Sequence, residues 1–236
     1  MIKLALVGKN IQHSRSPDIY QGILGNEVEY GLLDFADATE IPSAKELLSI
    51  YDGVSITSPY KKHFLPDIEL TSCASLVGAV NCLRLRNGII TGENTDFLAV
   101  VNILENWIQE YKQLNIIILG DGVMSTVTQQ ALNKCRVTSF KVFSRKTSNY
   151  FDQLNIPKIF ETQFPTARQR IVINTCSRDF IFKGCLDKQT IFWDFNYNFE
   201  DHLSSLPAMI QQYIDGLEML ELQAQYALAF WSIKSI

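Results

Sequence analysis

The chain reads as an α/β protein of two α/β units, each built on a largely parallel sheet. Three observations predict this. Short apolar runs alternate with stretches of helical period, "KLALVG" before "SPDIYQGIL" and "LNIIILGDG" before "VMSTVTQQALNK". The runs are apolar throughout rather than every second residue, as suits strands covered on both faces of a parallel sheet. The strand–Gly–helix order then starts afresh near residue 115. A length of 236 residues fits one large domain or two modest ones.

In order along the first unit, residues 3 to 8 form a strand ending in Gly8. "SPDIYQGIL" is a helix, with Ser16 expected as N-cap and Pro17 at the first helical position. "VEYGLLDF" is a second strand, "IPSAKELLSIY" a helix, and "GVSIT" a strand after the turn signal "YDG". "AVNCLRLRNGIITGEN" reads as a hairpin and "DFLAVVNILENWIQEYK" as a long amphipathic helix. In the second unit, "SFKVFSR", "RIVINTC" and "TIFWDFNY" are strands. "GLEMLELQAQYALAFWSI" is a strongly apolar terminal helix, docked rather than membrane-bound because Glu218, Glu221, Gln223 and Gln225 interrupt it. Trp107, Trp193 and Trp231 are expected in the core or at a domain interface.

Composition narrows the function classes. A hydrophobic fraction of 47% against 19% charged excludes global disorder. A net charge of −4 gives no basic face for nucleic acid. Cys73, Cys82, Cys135, Cys176 and Cys185 contain no C-x-x-C pair, which points to free thiols in a reducing cytoplasm. His13, His63 and His202 lack ligand spacing, so no zinc site is expected, and His13 is read as a loop or packing residue. No run reaches the length of a membrane span.

"IIILGDGVMS" places Gly120 and Gly122 between a strand and a helix, the context of a dinucleotide turn. The first glycine allows the tight turn, and the second lets the backbone approach a pyrophosphate at the helix N-terminus. The third position is Ser125, so the motif is incomplete, and an ordinary strand–helix turn is the competing reading. The next strand ends in Ser144, Arg145 and Lys146, where an NAD site would carry an acid. Two cations there suit the 2′-phosphate of NADP, or are simply solvated. Asp121 lies inside the turn and either caps the helix or weakens dinucleotide binding.

Polar groups gather at expected strand ends of the first unit: Ser14 and Ser16, Thr57 and Lys61, Asn81, and Asn94 to Asp96. Ligands of open α/β sheets bind outside those ends. Hydroxyls and amides there suit a small polyhydroxylated ligand. A Lys61–Asp96 pair would exchange a proton with a substrate hydroxyl.

Taken in order, these segments resemble the shikimate dehydrogenase family over nearly the whole chain. "GKNIQHSRSPDIYQ" is similar to the family's "GNPIxHSxSPxIHN", and "GVSITSPYKK" to "GxNVTxPFK". "GAVNCLRLRNGIITGENTDF" is similar to "GAVNTLxxxxGxLxGxNTDG", "ILGDGVMS" to "LGAGGAS", and "VFSRKT" to "NRT". "VINTCS" resembles "INATS", "WDFNY" resembles "YDxxY", and "GLEMLELQAQYALAFW" resembles "GxxMLxxQAxxxFxxW".

The resemblance implies a substrate domain over residues 1–100 plus 215–236 and an NADP-binding Rossmann-like domain over 101–214, flanking a cleft. It implies NADP-dependent interconversion of 3-dehydroshikimate and shikimate, with Lys61 and Asp96 catalytic. Ser14, Ser16, Thr57, Asn81, Tyr197 and Gln223 would bind substrate. Gly120, Gly122, Ser125, Ser144, Arg145, Lys146 and Met219 would bind the cofactor. The expected partner is a small molecule, with no nucleic acid or membrane, in a monomer or homodimer. The alternatives are a paralogue acting on quinate or another cyclic hydroxy acid, and a ligand binder without turnover.

The chain departs from the family pattern at Ser55 and Ser144, each in place of Asn, and at Phe97 and Val123, each in place of Gly. The expected consequences are crowding by Phe97 near the cleft and by Val123 at the pyrophosphate turn.

Overall fold

The computed structural model describes residues 1–164, 166 and 168–234. The chain divides into two compact units, Met1–Ala99 with Leu220–Ile236, and Val100–Met219. In the first unit run β1 (Ile2–Gly8), α1 (Ser16–Leu24), β2 (Val28–Asp34), α2 (Ala44–Ile50), β3 (Gly53–Ile56), β4 (Glu69–Leu70), α3 (Ser72–Val77), β5 (Cys82–Arg86) and β6 (Ile89–Glu93). Helix α4 (Thr95–Tyr111) carries the chain into the second unit. There follow β7 (Leu114–Leu119), α5 (Val123–Lys134), β8 (Phe140–Phe143), α6 (Ile156–Gln163), β9 (Gln169–Asn174), β10 (Thr190–Asp194), α7 (Glu200–Ser205) and β11 (Gln212–Ile214). Helix α8 (Leu217–Trp231) begins in the second unit and ends in the first.

The first sheet has the order β2-β1-β3-β5-β6-β4. Strand β1 is parallel to β2 and β3, β5 is antiparallel to both its neighbours, and β4 is parallel to β6. The expected hairpin is the β5–β6 pair. The order reverses at β1 and β3, where Val7 stands opposite Ile56. Beyond those partners the two strand ends press together: a Cβ on Gly8 would lie 2.5 Å from Thr57 Cγ2. Ligands of open α/β sheets gather at such a switch point.

Two helical layers cover this sheet. On one side α2 places Ala44, Leu47 and Leu48 against Val54 and Ile56. On the other, Tyr20 and Leu24 of α1 meet Leu4, Cys82 and the end of α8 through Ala224, Ala227, Leu228 and Trp231. The Trp231 indole N–H donates to Leu83 O at 2.9 Å. A Cβ on Gly53 would lie 2.4 Å from that ring, so the glycine is what lets α8 lie down.

The second sheet has the order β11-β10-β9-β7-β8 and is parallel throughout. Its reversal falls at β7 and β9. Ile116 to Leu119, Ile171 to Ile173 and Ile191 to Trp193 are buried, as continuous apolar strands predict. Trp193 is fully buried and meets Trp107 edge-on, with ring centroids 4.9 Å apart.

Two readings need correction. Ser16 is the first residue of α1, not its N-cap; Arg15 holds that position without a side-chain cap. The Ser14 hydroxyl, two residues earlier, accepts the Ser16 N–H instead, at 3.2 Å. Strands β4 and β11 and helices α3, α6 and α7 were not expected. Each is eight residues or shorter.

Candidate active site

The polar groups of the first unit are organised from the N-terminus of α4. Asn94 precedes the helix, and its Oδ1 accepts the Phe97 N–H at 2.9 Å, an N-cap bond. Its amide donates to Ala79 O at 3.0 Å, fixing the loop that leads into β5. The next residue, Thr95, donates its N–H to Asn81 Oδ1 at 2.7 Å, and Asn81 Nδ2 donates to Thr95 Oγ1 at 2.9 Å. Gln223, from α8, brings its Oε1 to 3.4 Å from Thr95 Oγ1 and 3.5 Å from Asn81 Nδ2. Asn81, Thr95 and Gln223 are all buried.

Asp96 follows Thr95 in the first turn of α4, where a carboxylate is favoured by the helix dipole. Its Oδ2 lies 2.7 Å from Lys61 Nζ. The two side chains are 9% and 12% exposed, so this pair is nearly withdrawn from water. Lys61 is placed by the turn after β3, and its carbonyl accepts the Val80 N–H at 2.8 Å. The loops of Lys61 and Asn81 are therefore tied directly. Burial pushes the nearby Cys82 thiol far up, which keeps it protonated beside Thr95.

Ser14 and Ser16 lie in the segment after β1, with their hydroxyls 3.2 Å apart. Thr57 follows β3, and its N–H donates to Val7 O at 2.9 Å. The structure thus joins Lys61 to Asp96, and Asn81 to Gln223 through Thr95. Ser14, Ser16 and Thr57 sit on the neighbouring strand ends.

In the second unit, the turn after β7 has the features of a phosphate cradle. Gly120 has φ of +113°, and a Cβ there would lie 2.6 Å from Thr175 Oγ1 and 3.1 Å from Cys176 Sγ. Nothing stands within 4 Å of a Cβ built on Gly122. Gly122 is the N-cap of α5, and Asp121 lies one residue before it. The residues present therefore fit a pyrophosphate at the helix N-terminus. Ser144 is buried, and its hydroxyl accepts the Lys146 N–H at 3.2 Å. Arg145 is exposed. Lys146 lies 2.9 Å from Asp121 Oδ2.

Ser125 does not join this set. It is fully buried within α5, where its hydroxyl accepts from Gln129 Nε2 at 3.2 Å. A small residue there serves close helix–sheet packing instead. Met219 is buried near the start of α8, and Tyr197 is half-buried after β10.

A hydrogen-bonded hub around Asp194 was not foreseen. This carboxylate ends β10, is fully buried, and accepts from Asn174 Nδ2 at 3.0 Å, Asn196 N–H at 3.0 Å and Tyr213 OH at 3.1 Å. His202 Nε2 accepts the Phe182 N–H, so its Nδ1 carries the proton that it donates to Asp194. The hub ties together the ends of β9, β10 and β11. Arg178 then donates to the carbonyls of Tyr197 and Asn198, fixing the Tyr197 loop.

Comparison with known proteins agrees with this geometry. Residues 6–83 match the shikimate dehydrogenase substrate binding domain. The chain is 26% identical over 244 residues to shikimate dehydrogenase (NADP(+)) of Saccharolobus solfataricus, covering 98% of this chain and 89% of that one. It is 31% identical over 168 residues to the enzyme of that name from Staphylococcus epidermidis, covering 67% of this chain and 60% of that one. The shikimate dehydrogenase structure from Thermotoga maritima has the same fold, with a TM-score of 0.76 at 22% identity, covering 99% of this chain and 95% of that one. The chain belongs to the shikimate dehydrogenase family.

Membership gives the departures a scale. Phe97, in place of the family's glycine, does not stand open beside the polar groups; it is 2% exposed and packed into the core. Val123 is partly buried as the first residue of α5. Ser55, in place of asparagine, is buried at the end of β3. Thr95 and Asn94 belong to the family motif "NTD", yet their structural part was readable without it. An Asn directly before a long helical period is an N-cap signal.

Proposed function

We propose that this chain catalyses the reversible NADP-dependent reduction of 3-dehydroshikimate to shikimate. The observation that carries the reading is the nearly buried Lys61–Asp96 pair beside the Asn81–Thr95–Gln223 cluster. In the reducing direction the substrate carbonyl carbon gains a hydride and its oxygen gains a proton. Lys61 Nζ delivers that proton, and in the oxidising direction takes it back. Asp96 orients the ammonium group and offers its second oxygen to the same substrate hydroxyl. Asn81, Thr57 and Gln223 hold ring hydroxyls, and Ser14 and Ser16 hold the carboxylate. Tyr197 contributes to substrate binding and Met219 to cofactor binding. When bound, NADPH would supply the hydride for reduction, and NADP would accept it in the oxidising direction. Gly120 and Gly122 admit its pyrophosphate, and Ser144, Arg145 and Lys146 receive its 2′-phosphate.

On this reading the substrate domain is 1–100 with 215–236, and the cofactor domain is 101–214. The five cysteines form no disulfide, and among the described residues no helix is long and apolar enough to cross a membrane. The free thiols support action in a reducing cytoplasm, and we place the chain there as a monomer or homodimer. A solved relative, the shikimate 5-dehydrogenase of Thermus thermophilus, is in complex with NADP(H) and shikimate; it shares the fold, with a TM-score of 0.72 at 19% identity, covering 98% of this chain and 94% of that one.

The test is to mix the purified chain with shikimate and follow nicotinamide reduction, with NADP and NAD in parallel. Reduction with NADP is expected, and Lys61→Ala should lower kcat by roughly 10²- to 10⁴-fold with a modest change in KM. A folded sample that reduces neither nucleotide with shikimate overturns the assignment, and quinate is the next substrate to try.

A further inference from the structure

Lys146 was expected from the sequence to meet a 2′-phosphate, but it already has an anion. Asp121, between the two glycines of the β7–α5 turn, places Oδ2 2.9 Å from Lys146 Nζ. The base of this carboxylate is fixed. Gly120 is pressed so closely against Thr175 and Cys176 that a Cβ would collide, which holds the turn onto the end of β9. Asp121 precedes Gly122, the N-cap of the helix behind it. It reaches to the end of β8, where Lys146 first, and Ser144 and Arg145 after it, hold its carboxyl below the usual range. The two side chains are 44% and 82% exposed, so the pair is weakly held and opens readily.

We propose that Asp121 sets the cofactor preference of this chain by competing with the 2′-phosphate of NADP for Lys146. The proposal rests on the dinucleotide reading of the second unit. A phosphate and a carboxylate seek the same ammonium group, and only one can hold it. When the phosphate takes Lys146, Asp121 is left as an unneutralised like charge in the turn beside it. NAD carries no such phosphate, so the Asp121–Lys146 pair stays closed. The carboxylate then remains near the end of β8, the place from which NAD sites present an acid to the ribose hydroxyls. Discrimination in favour of NADP is therefore narrower than two cations alone would give.

The experiment is titration calorimetry on the full chain with adenosine 2′,5′-bisphosphate and with 5′-AMP, which differ only in the 2′-phosphate. Four proteins form a cycle: wild type, Asp121→Asn, Lys146→Met and the double variant. Asp121→Asn is expected to tighten the bisphosphate by about tenfold, and 5′-AMP by less than about threefold. Lys146→Met is expected to weaken the bisphosphate by less than about threefold alone, and by about tenfold in the Asp121→Asn background. Additive effects, or weaker bisphosphate binding by Asp121→Asn, overturn the proposal while leaving the dinucleotide site standing. If none of the four proteins binds either nucleotide, the dinucleotide reading fails and the proposal falls with it.

Discussion

Removing either member of the Lys61–Asp96 pair should lower stability as well as turnover, and the two losses should not add. Lys61→Met keeps the chain length and deletes the charge; Asp96→Asn keeps the shape and deletes the other. The pair is 2.7 Å apart with side chains 12% and 9% exposed. Exposed pairs contribute about 0.2–1 kcal/mol, whereas breaking a buried pair costs about 3–5 kcal/mol because one charge stays behind. At one-tenth exposure the site lies near the buried end. For Lys61→Met, the N-terminal dipole of α4 returns about 0.3–1 kcal/mol to the orphaned Asp96. The net loss is about 2–4 kcal/mol for Lys61→Met and about 3–5 kcal/mol for Asp96→Asn. Once one charge is gone their mutual interaction cannot be lost a second time, so the double variant should lose less than the two single variants summed, a coupling of about 2 kcal/mol. In a chain of this length losses of about 2–5 kcal/mol lower Tm by roughly 4–20 °C. Urea unfolding of all four proteins measures the cycle, and turnover with shikimate and NADP reports the proton transfer separately. A coupling below about 0.5 kcal/mol would mean that water screens the pair, and the argument for a withdrawn acid–base couple would fail.

Gly53→Ala would set a methyl group against the Trp231 ring, since a Cβ there lies 2.4 Å from Cδ2. Overpacking of this kind costs about 1–3 kcal/mol; because Gln223 shares α8 with Trp231, KM for shikimate should rise more than kcat falls, and unchanged kinetics would show that α8 does not position Gln223. The fold should also weaken in alkali. Tyr213 is raised by burial and then by Asp194, Cys82 is raised by burial, and burial pushes the Cys176 thiol up to about 12. These groups are protonated in both states below about pH 8; above it the unfolded chain releases protons that the folded chain keeps, so each group removes up to about 1.4 kcal/mol of stability per pH unit. Urea midpoints should fall from pH 8 to 10.5, less steeply in Tyr213→Phe, and a flat profile would contradict the burial assigned to these groups.

What the sequence showed depends on whether a feature is local. Strands β7, β9 and β10 were legible because continuous apolar runs can be read without knowing their neighbours. The ends of α5 were legible because a glycine turn precedes Val123 and Lys134 closes the helical period. Gln223 and Asn81 are 142 residues apart, and no period or spacing connects them; only the resemblance to a family placed them in one site. The Asp194 hub had neither advantage. Its members come from four elements, and the segments "VINTCS" and "WDFNY" that supply Asn174 and Asp194 carry no spacing that joins them. Ser125 shows a related limit: the sequence does not say which way its side chain turns. Its position in a glycine fingerprint suggests ligand contact, but the helix turns that side chain inward, where it fills space.

The two candidate sites use different kinds of recognition. The first unit works through side chains. Lys61, Asn81, Asp96 and Gln223 are each held by a specific partner at little exposure, so changing one leaves a buried charge or an unpaired amide. The second unit's turn works through the backbone. An approach to a pyrophosphate there needs the close fit of Gly120 against Thr175 and the open space beside Gly122, and backbone N–H groups are the same whatever side chain they carry. Asp121 and Val123 can therefore enter the turn without closing it, whereas no comparable change is free at Lys61 or Asp96. The chemistry is fixed in the first unit, and the freedom to retune cofactor choice lies in the second, on the charges that Asp121 and Lys146 share.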